Sequence, residues 1–228
     1  MESSTPARVS HMPRAVIWDV DGTLIDSGSL HFASWSAILA NEQFTLTRER
    51  FQASFGQRND AVLRSFLGAG LSDDEIVRIG MAKEERYRDL LRMEGIKLLP
   101  GVRHWLDRLK ADGWRQALAS SAPHANLDAI LDVLALRPYF DAVVSGDDVV
   151  HGKPDPEIFL RAAAVLKVEP ERCVVVEDAP AGVEGARRAG MHSIGVLFAH
   201  PDLAADIVVA LLEELPADAF DRLVPAAP

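Results

Sequence analysis

The sequence is poor in cysteine, in positive charge and in long apolar runs, and each shortage removes a class of protein. Cys173 is the only cysteine, and one thiol closes no internal disulfide and builds no multi-cysteine zinc site. It lies in Cys173-Val174-Val175-Val176, which reads as a buried strand. Lys and Arg number 24 against 34 Asp and Glu, a formal net charge of −10. That balance offers no basic field for nucleic acid or for an anionic membrane. No apolar stretch reaches the length of a membrane span. Residues 1–12 lack the apolar centre of a signal peptide and read as a disordered extension. A reduced, cytoplasmic setting is the expectation. The acidity also sets a condition: a phosphorylated ligand is itself an anion. Any phosphate site must therefore gather local positive charge from a metal, a Lys, an Arg or a helix N-terminus.

What is present is ample for a core. The 228 residues suffice for one sizeable α/β domain, or for a core domain with a smaller companion. From Leu98 onward, short apolar runs alternate with amphipathic stretches. The spacing predicts strands at 116–119, 141–144, 173–176 and 193–197, an edge strand at 207–209, and a front strand at 15–18. Helical patterns fall at 102–111, 126–134, 157–166 and 182–189. Such alternation predicts an α/β fold with a doubly wound parallel sheet. From about Leu30 to Met93 the pattern is helix after helix: 32–40, 48–55, 60–67 and 73–91, with Ser72 and Glu75 forming a capping box. The expected organisation is an α/β core at 13–29 and 96–228, with an all-helical cap inserted at 30–95.

The front strand runs into Asp19-Val20-Asp21-Gly22-Thr23. Residues two apart on an extended chain face one side, so both carboxylates would face the crevice beyond the strand's carboxyl end. Two carboxylates this close need a cation or a shared proton. Either remedy suits a nucleophile beside an acid–base partner. Taken alone, the pair fits an acidic chain reversal equally well. A second strand ends in Glu177-Asp178. These read singly as solvated helix-capping residues, and jointly with Asp19 and Asp21 as a hard-oxygen cage for magnesium. Ser120-Ser121 ends another strand, where a hydroxyl and backbone amides suit phosphate oxygens. Lys153 precedes an expected N-cap at Asp155 with Pro156 as the first helical residue. As an isolated Lys it reads as a solvated charge. Gly152-Lys153 is not a P-loop, because Gly146 is one residue too distant and Pro154 replaces the Ser or Thr. Gly182-Val183-Glu184-Gly185 likewise lacks the order of a dinucleotide-binding loop.

Asp-x-Asp-Gly-Thr at 19–23, Ser120, Lys153-Pro154 and Glu177-Asp178 occur in the order of the four motifs of the haloacid dehalogenase superfamily. The chain resembles that superfamily from about Arg14 to Val209, with a Rossmann-like core and a helical cap after the first motif. The resemblance implies an aspartyl-phosphate on Asp19. It implies that Asp21 protonates the leaving group and then deprotonates the acceptor, and that Ser120 and Lys153 hold the phosphoryl group. Magnesium would be bound by Asp19, the Asp21 backbone carbonyl and Asp178, with Glu177 direct or through water. Asp21 also argues against halide displacement, which needs no proton donor, whereas an alkoxide leaving group does.

Within the superfamily the chain is most similar to beta-phosphoglucomutase and related sugar-phosphate phosphatases. Ile25-Asp26-Ser27 with His31 and Trp35 matches the entry to the cap. Arg58 matches an arginine that grips the non-reacting phosphate, and Lys83 a lysine that couples cap closure to substrate. Read singly, Lys83 is an ordinary solvated charge. One departure separates the chain from the mutase. Ala122-Pro123-His124 replaces a hydroxyl, a cation and an Asn that hold the second phosphate of a bisphosphate, and His124 restores charge only when protonated. The expectation is therefore hydrolysis of a small phosphorylated sugar, polyol or similar metabolite by a monomer. A phosphomutase is the alternative, and a non-catalytic phospho-receiver module stands further off.

Overall fold

The computed structural model describes residues 12–54, 57–198 and 200–226; most of the expected extension at 1–12 lies outside them. Six parallel strands form one sheet: β1 (Ala15–Trp18), β2 (Arg115–Ala119), β3 (Ala142–Val144), β4 (Cys173–Glu177), β5 (His192–Val196) and β6 (Ile207–Val209). Their order is β3-β2-β1-β4-β5-β6. β1 thus lies between β2 and β4, where the order reverses, and ligands of open α/β sheets bind beyond the carboxyl ends at such a point.

Period-two alternation divides the core between two faces. Val16 and Trp18 pack with Leu118, Val174 and Val176 under α5 (Val102–Ala111) and α6 (His124–Val133). Ala15 and Ile17 pack with Ala117, Cys173 and Val175 under α7 (Glu157–Leu166) and α8 (Pro180–Arg188). Helices therefore cover both faces, as a parallel sheet requires. Cys173 is buried.

Four helices follow β1: α1 (Gly28–Asn41), α2 (Arg48–Ser54), α3 (Asn59–Leu67) and α4 (Asp73–Glu94). They enclose a separate core of Trp35, Leu39, Phe51, Leu63, Ile76 and Ile79. Their roots belong to the main core through Leu30, Tyr87, Leu90 and Leu91. Ser72 and Glu75 form the expected capping box of α4. Phe55, the expected last residue of α2, lies outside the described residues.

Three expectations need correction. Pro156 stands at the N-cap of α7 and Glu157 is its first residue. Asp155 still caps, because its Oδ1 accepts the Glu157 N–H at 3.0 Å. α6 begins two residues earlier than its apolar pattern, and α8 begins at Pro180. Beyond the expected elements lies a short helix, α9 (Ala219–Leu223), whose Phe220 is 2 % exposed. No described helix is long and apolar enough to cross a membrane.

Candidate active site

Three strand ends meet at one edge of the sheet. The Asp19 N–H still bonds Val176 O at 3.0 Å, which sets Asp19 beside the end of β4. Val20 O then accepts from the N–H groups of Leu24 and Ile25, folding the next residues into a tight loop. Gly22 adopts φ +83°, a left-handed conformation that strains other residues, and a Cβ there would lie 2.0 Å from Asp178 Oδ2. A Cβ on Gly182 would lie 1.8 Å from Glu177 Oε1. The missing side chain at Gly22 lets the loop after β1 close on Asp178, and the one at Gly182 lets Glu177 lie against the start of α8. The chain reversal and the acidic site are one structure.

Lys153 joins them. Its Nζ lies 2.6 Å from Asp19 Oδ1, 2.6 Å from Glu177 Oε1 and 3.1 Å from Ala119 O, so all three ammonium protons are engaged. It is not a solvated charge: burial pushes its pKa down, but Asp19 and Glu177 outweigh that and hold it protonated. The other Glu177 oxygen accepts the Ala179 N–H at 2.8 Å. Among the described residues no donor reaches the Asp178 carboxylate. Asp19, Glu177 and Asp178 are all buried, and each offers an oxygen within 4.8 Å of the others. Burial raises the Asp178 carboxyl, and the charges of Asp19 and Glu177 raise it further. Burial raises Asp19 too, against the pull of Lys153. Lys153 bonds Asp19 and Glu177 but not Asp178, so three clustered carboxyl groups outnumber one ammonium among hard oxygens. That donor set fits magnesium.

Asp21 is held differently. Ser27 Oγ donates to its Oδ1, and His31 Nε2 lies 3.5 Å away. Burial pushes its pKa up, but these two partners and the nearby charge of Lys83 pull it below the ordinary value. The His31 ring stacks on Tyr87 at 4.2 Å, and its Nδ1 lies 3.0 Å from Lys83 Nζ. Lys83 is only 3 % exposed, which overturns its reading as a surface charge. Burial lowers its pKa, and Glu84 and Asp21 oppose that shift.

The remaining candidates divide. Ser120 is buried at the end of β2, and its Oγ accepts the Ala122 N–H at 3.1 Å. Ser121 is exposed. Arg58 keeps an exposed side chain, 3.6 Å from Asp60. Its Cδ lies 3.5 Å from where a Cβ on Gly152 would stand, so it reaches from the helical insert to the residue before Lys153. His124 pairs with Asp148 at 2.7 Å, and its N–H donates to Asp147 at 2.9 Å. Its imidazole is paired with one carboxylate and its backbone N–H with another. Ser27, Asn59, Glu84 and Asn126 also join this polar network, although no motif in the sequence marks them for a role. For Glu84 a signal existed: with Lys83 it interrupts the apolar stripe of Ile76, Ile79, Tyr87 and Leu90 on α4.

A family model described as haloacid dehalogenase-like hydrolase matches residues 13–190. Beta-phosphoglucomutase of Bacillus subtilis (strain 168) is 35% identical over 208 residues, spanning 89% of this chain and 91% of that protein. Fructose-1-phosphate phosphatase YqaB of Escherichia coli (strain K12) is 32% identical, spanning 79% of this chain and 95% of that one. Among solved structures, CbbY from Rhodobacter sphaeroides in complex with xylulose-(1,5)bisphosphate superposes with a TM-score of 0.82 at 29% identity. That match covers 90% of this chain and 96% of CbbY.

Proposed function

Because the chain belongs to the haloacid dehalogenase-like hydrolases, we propose that it is a magnesium-dependent phosphatase of small phosphorylated sugars, polyols or similar metabolites. In this reading α1–α4 form a cap over the core, and one chain supplies the whole site. Ser120 and Lys153 hold the phosphoryl oxygens, and a carboxylate oxygen of Asp19 attacks phosphorus. The bond from phosphorus to the ester oxygen breaks, and Asp21 donates a proton to the departing alkoxide. Asp21 then takes a proton from water as the water oxygen attacks the aspartyl-phosphate. Inorganic phosphate leaves, and Asp19 is regenerated. Asp19, the Asp21 backbone carbonyl and Asp178, with Glu177 directly or through water, would hold magnesium, which supplies the positive charge this acidic cluster and a phosphate dianion both need.

The observation that carries this reading is the contrast between the two aspartates. Asp19 sits in a cation-seeking cluster with Lys153, Glu177 and Asp178, whereas Asp21 is held apart from it by Ser27 and His31. A carboxylate facing a cation site suits a nucleophile, and one held outside it by a hydroxyl and an imidazole suits proton transfer. A phosphate dianion arriving beside Asp21 raises its affinity for the proton it must donate.

Water is favoured over a sugar hydroxyl as acceptor. A mutase must hold a second phosphate in two orientations, yet the segment after Ser121 supplies Ala122, Pro123 and a His124 already paired with Asp148. Asp147 adds a carboxylate nearby. The relationship to beta-phosphoglucomutase keeps phosphomutase as a second reading. Incubation with magnesium, beta-glucose 1-phosphate and trace glucose 1,6-bisphosphate separates them. Glucose 6-phosphate formed without phosphate release would sink the phosphatase reading. Phosphate release across a panel of phosphorylated metabolites is the expected result and identifies the substrate.

A further inference from the structure

The buried polar chain that begins at Asp21 does not stop at Lys83. Glu84, 7 % exposed, uses both carboxylate oxygens. Oε1 accepts from Lys83 Nζ at 2.9 Å and from Asn59 Nδ2 at 2.8 Å, and Oε2 accepts from Asn126 Nδ2 at 2.6 Å. Asn59 opens α3, Glu84 lies midway along α4, and Asn126 is in the first turn of α6. α6 belongs to the core and follows the Ser120-Ser121 strand end. One carboxylate therefore ties two helices of the insert to the helix that follows the phosphate-binding loop.

We propose that Glu84 is a positioning residue: it holds Lys83 against His31 and latches the insert over the catalytic strand ends through Asn126. This rests on the reading of Asp21 as the proton-handling carboxylate. A buried ion pair is weak evidence for stability unless its remaining hydrogen-bonding capacity is satisfied, and it is better attested as a device that selects one arrangement. Here satisfaction is directional. Arg88 Nη1 donates to Asn126 Oδ1 at 2.9 Å, so the Asn126 amide has its oxygen toward Arg88 and its nitrogen toward Glu84. It cannot turn over without breaking both bonds. The latch therefore requires an acceptor at position 84 and a donor at 126.

Polarity reversal tests it. Glu84→Gln retains an oxygen for Lys83 and Asn59 but sets an amide N–H against that of Asn126. Asn126→Asp sets a second carboxylate against Glu84. In the double variant Glu84→Gln/Asn126→Asp, the introduced amide donates to the introduced carboxylate, which also meets Arg88. Each single variant should lower kcat/KM roughly tenfold or more on the best ester found for the wild type, as expected for a charged hydrogen bond. The loss should fall on kcat with KM little changed, and the double variant should recover most of it. Single variants that melt earlier but keep wild-type kcat and KM below their melting point would show a purely structural role and overturn the proposal. So would a double variant no better than either single one. If the wild type hydrolyses no phosphate ester, the Asp21 reading fails instead. Amide hydrogen exchange then decides the latch: faster exchange in α4 and α6 of Asn126→Asp, reversed in the double variant, supports it, and unchanged exchange overturns it.

Discussion

Two aspartates two positions apart experience opposite surroundings, and that contrast yields the sharpest expectations at the scale of single residues. Asp19→Asn should abolish turnover while leaving the circular dichroism spectrum intact; substantial residual activity would remove its assignment as nucleophile. Asp21→Asn should lower kcat about 100- to 10,000-fold, the usual range for a lost general acid–base. The acidic cluster also predicts a pH dependence. Asp19 and Asp178 both have raised folded-state pKa values. Above the ordinary carboxylate range of about 4, the unfolded chain therefore binds fewer protons than the folded one, and stability falls as pH rises. The melting temperature of metal-free protein should drop between about pH 5 and about pH 9, and magnesium should raise it more at the upper end. Thermal melts in chelator and in magnesium check this. A magnesium effect independent of pH would contradict the cation-deficient cluster.

At the scale of elements, α4 is the member on which the site's outer part depends. Its 22 residues carry Lys83, Glu84 and Tyr87 on one buried face, and its first turn is closed by the reciprocal Ser72–Glu75 cap. Ser72→Ala should destabilise the protein by about 1 kcal/mol, measured by urea denaturation, with no change in the m value. Caps are local, and this one was legible as Ser-x-x-Glu before an apolar run. Read singly, Lys83 passes for a solvated charge, and the burial that overturns that reading has a legible cause. A lone Lys is ordinarily solvated, but its place within the stripe of Ile76, Ile79, Tyr87 and Leu90 marked the buried face.

Across the whole molecule, the end of the described chain returns to support its beginning. Phe220 of α9 packs against Trp105 at 5.0 Å, Trp114 at 5.8 Å and Trp18 at 6.3 Å between ring centroids. Arg14, just before β1, donates to Asp221 at 2.6 Å and to Val224 O at 3.1 Å. α9 thus seals the core beneath the strand that presents Asp19. Phe220→Ala should cost about 3–5 kcal/mol by denaturant unfolding and leave kcat unchanged well below the melting temperature. A five-residue helix spans too few turns to show periodicity, so only its packing reveals it.

The alternation of strands and helices, the helical insert after β1 and the four motif segments with their residue types are all legible along the chain. Those features are written in local spacing: period two in strands, three to four in helices, and polar residues at strand ends. The tertiary structure alone decided the partners. Lys153 engages Asp19 across 134 positions of chain, Asn126 meets Glu84 across 42, and His124 is drawn to Asp148 rather than left free. Such pairings depend on how a twisted sheet and its covering helices bring distant segments together. No local pattern encodes which of several carboxylates a given cation will meet.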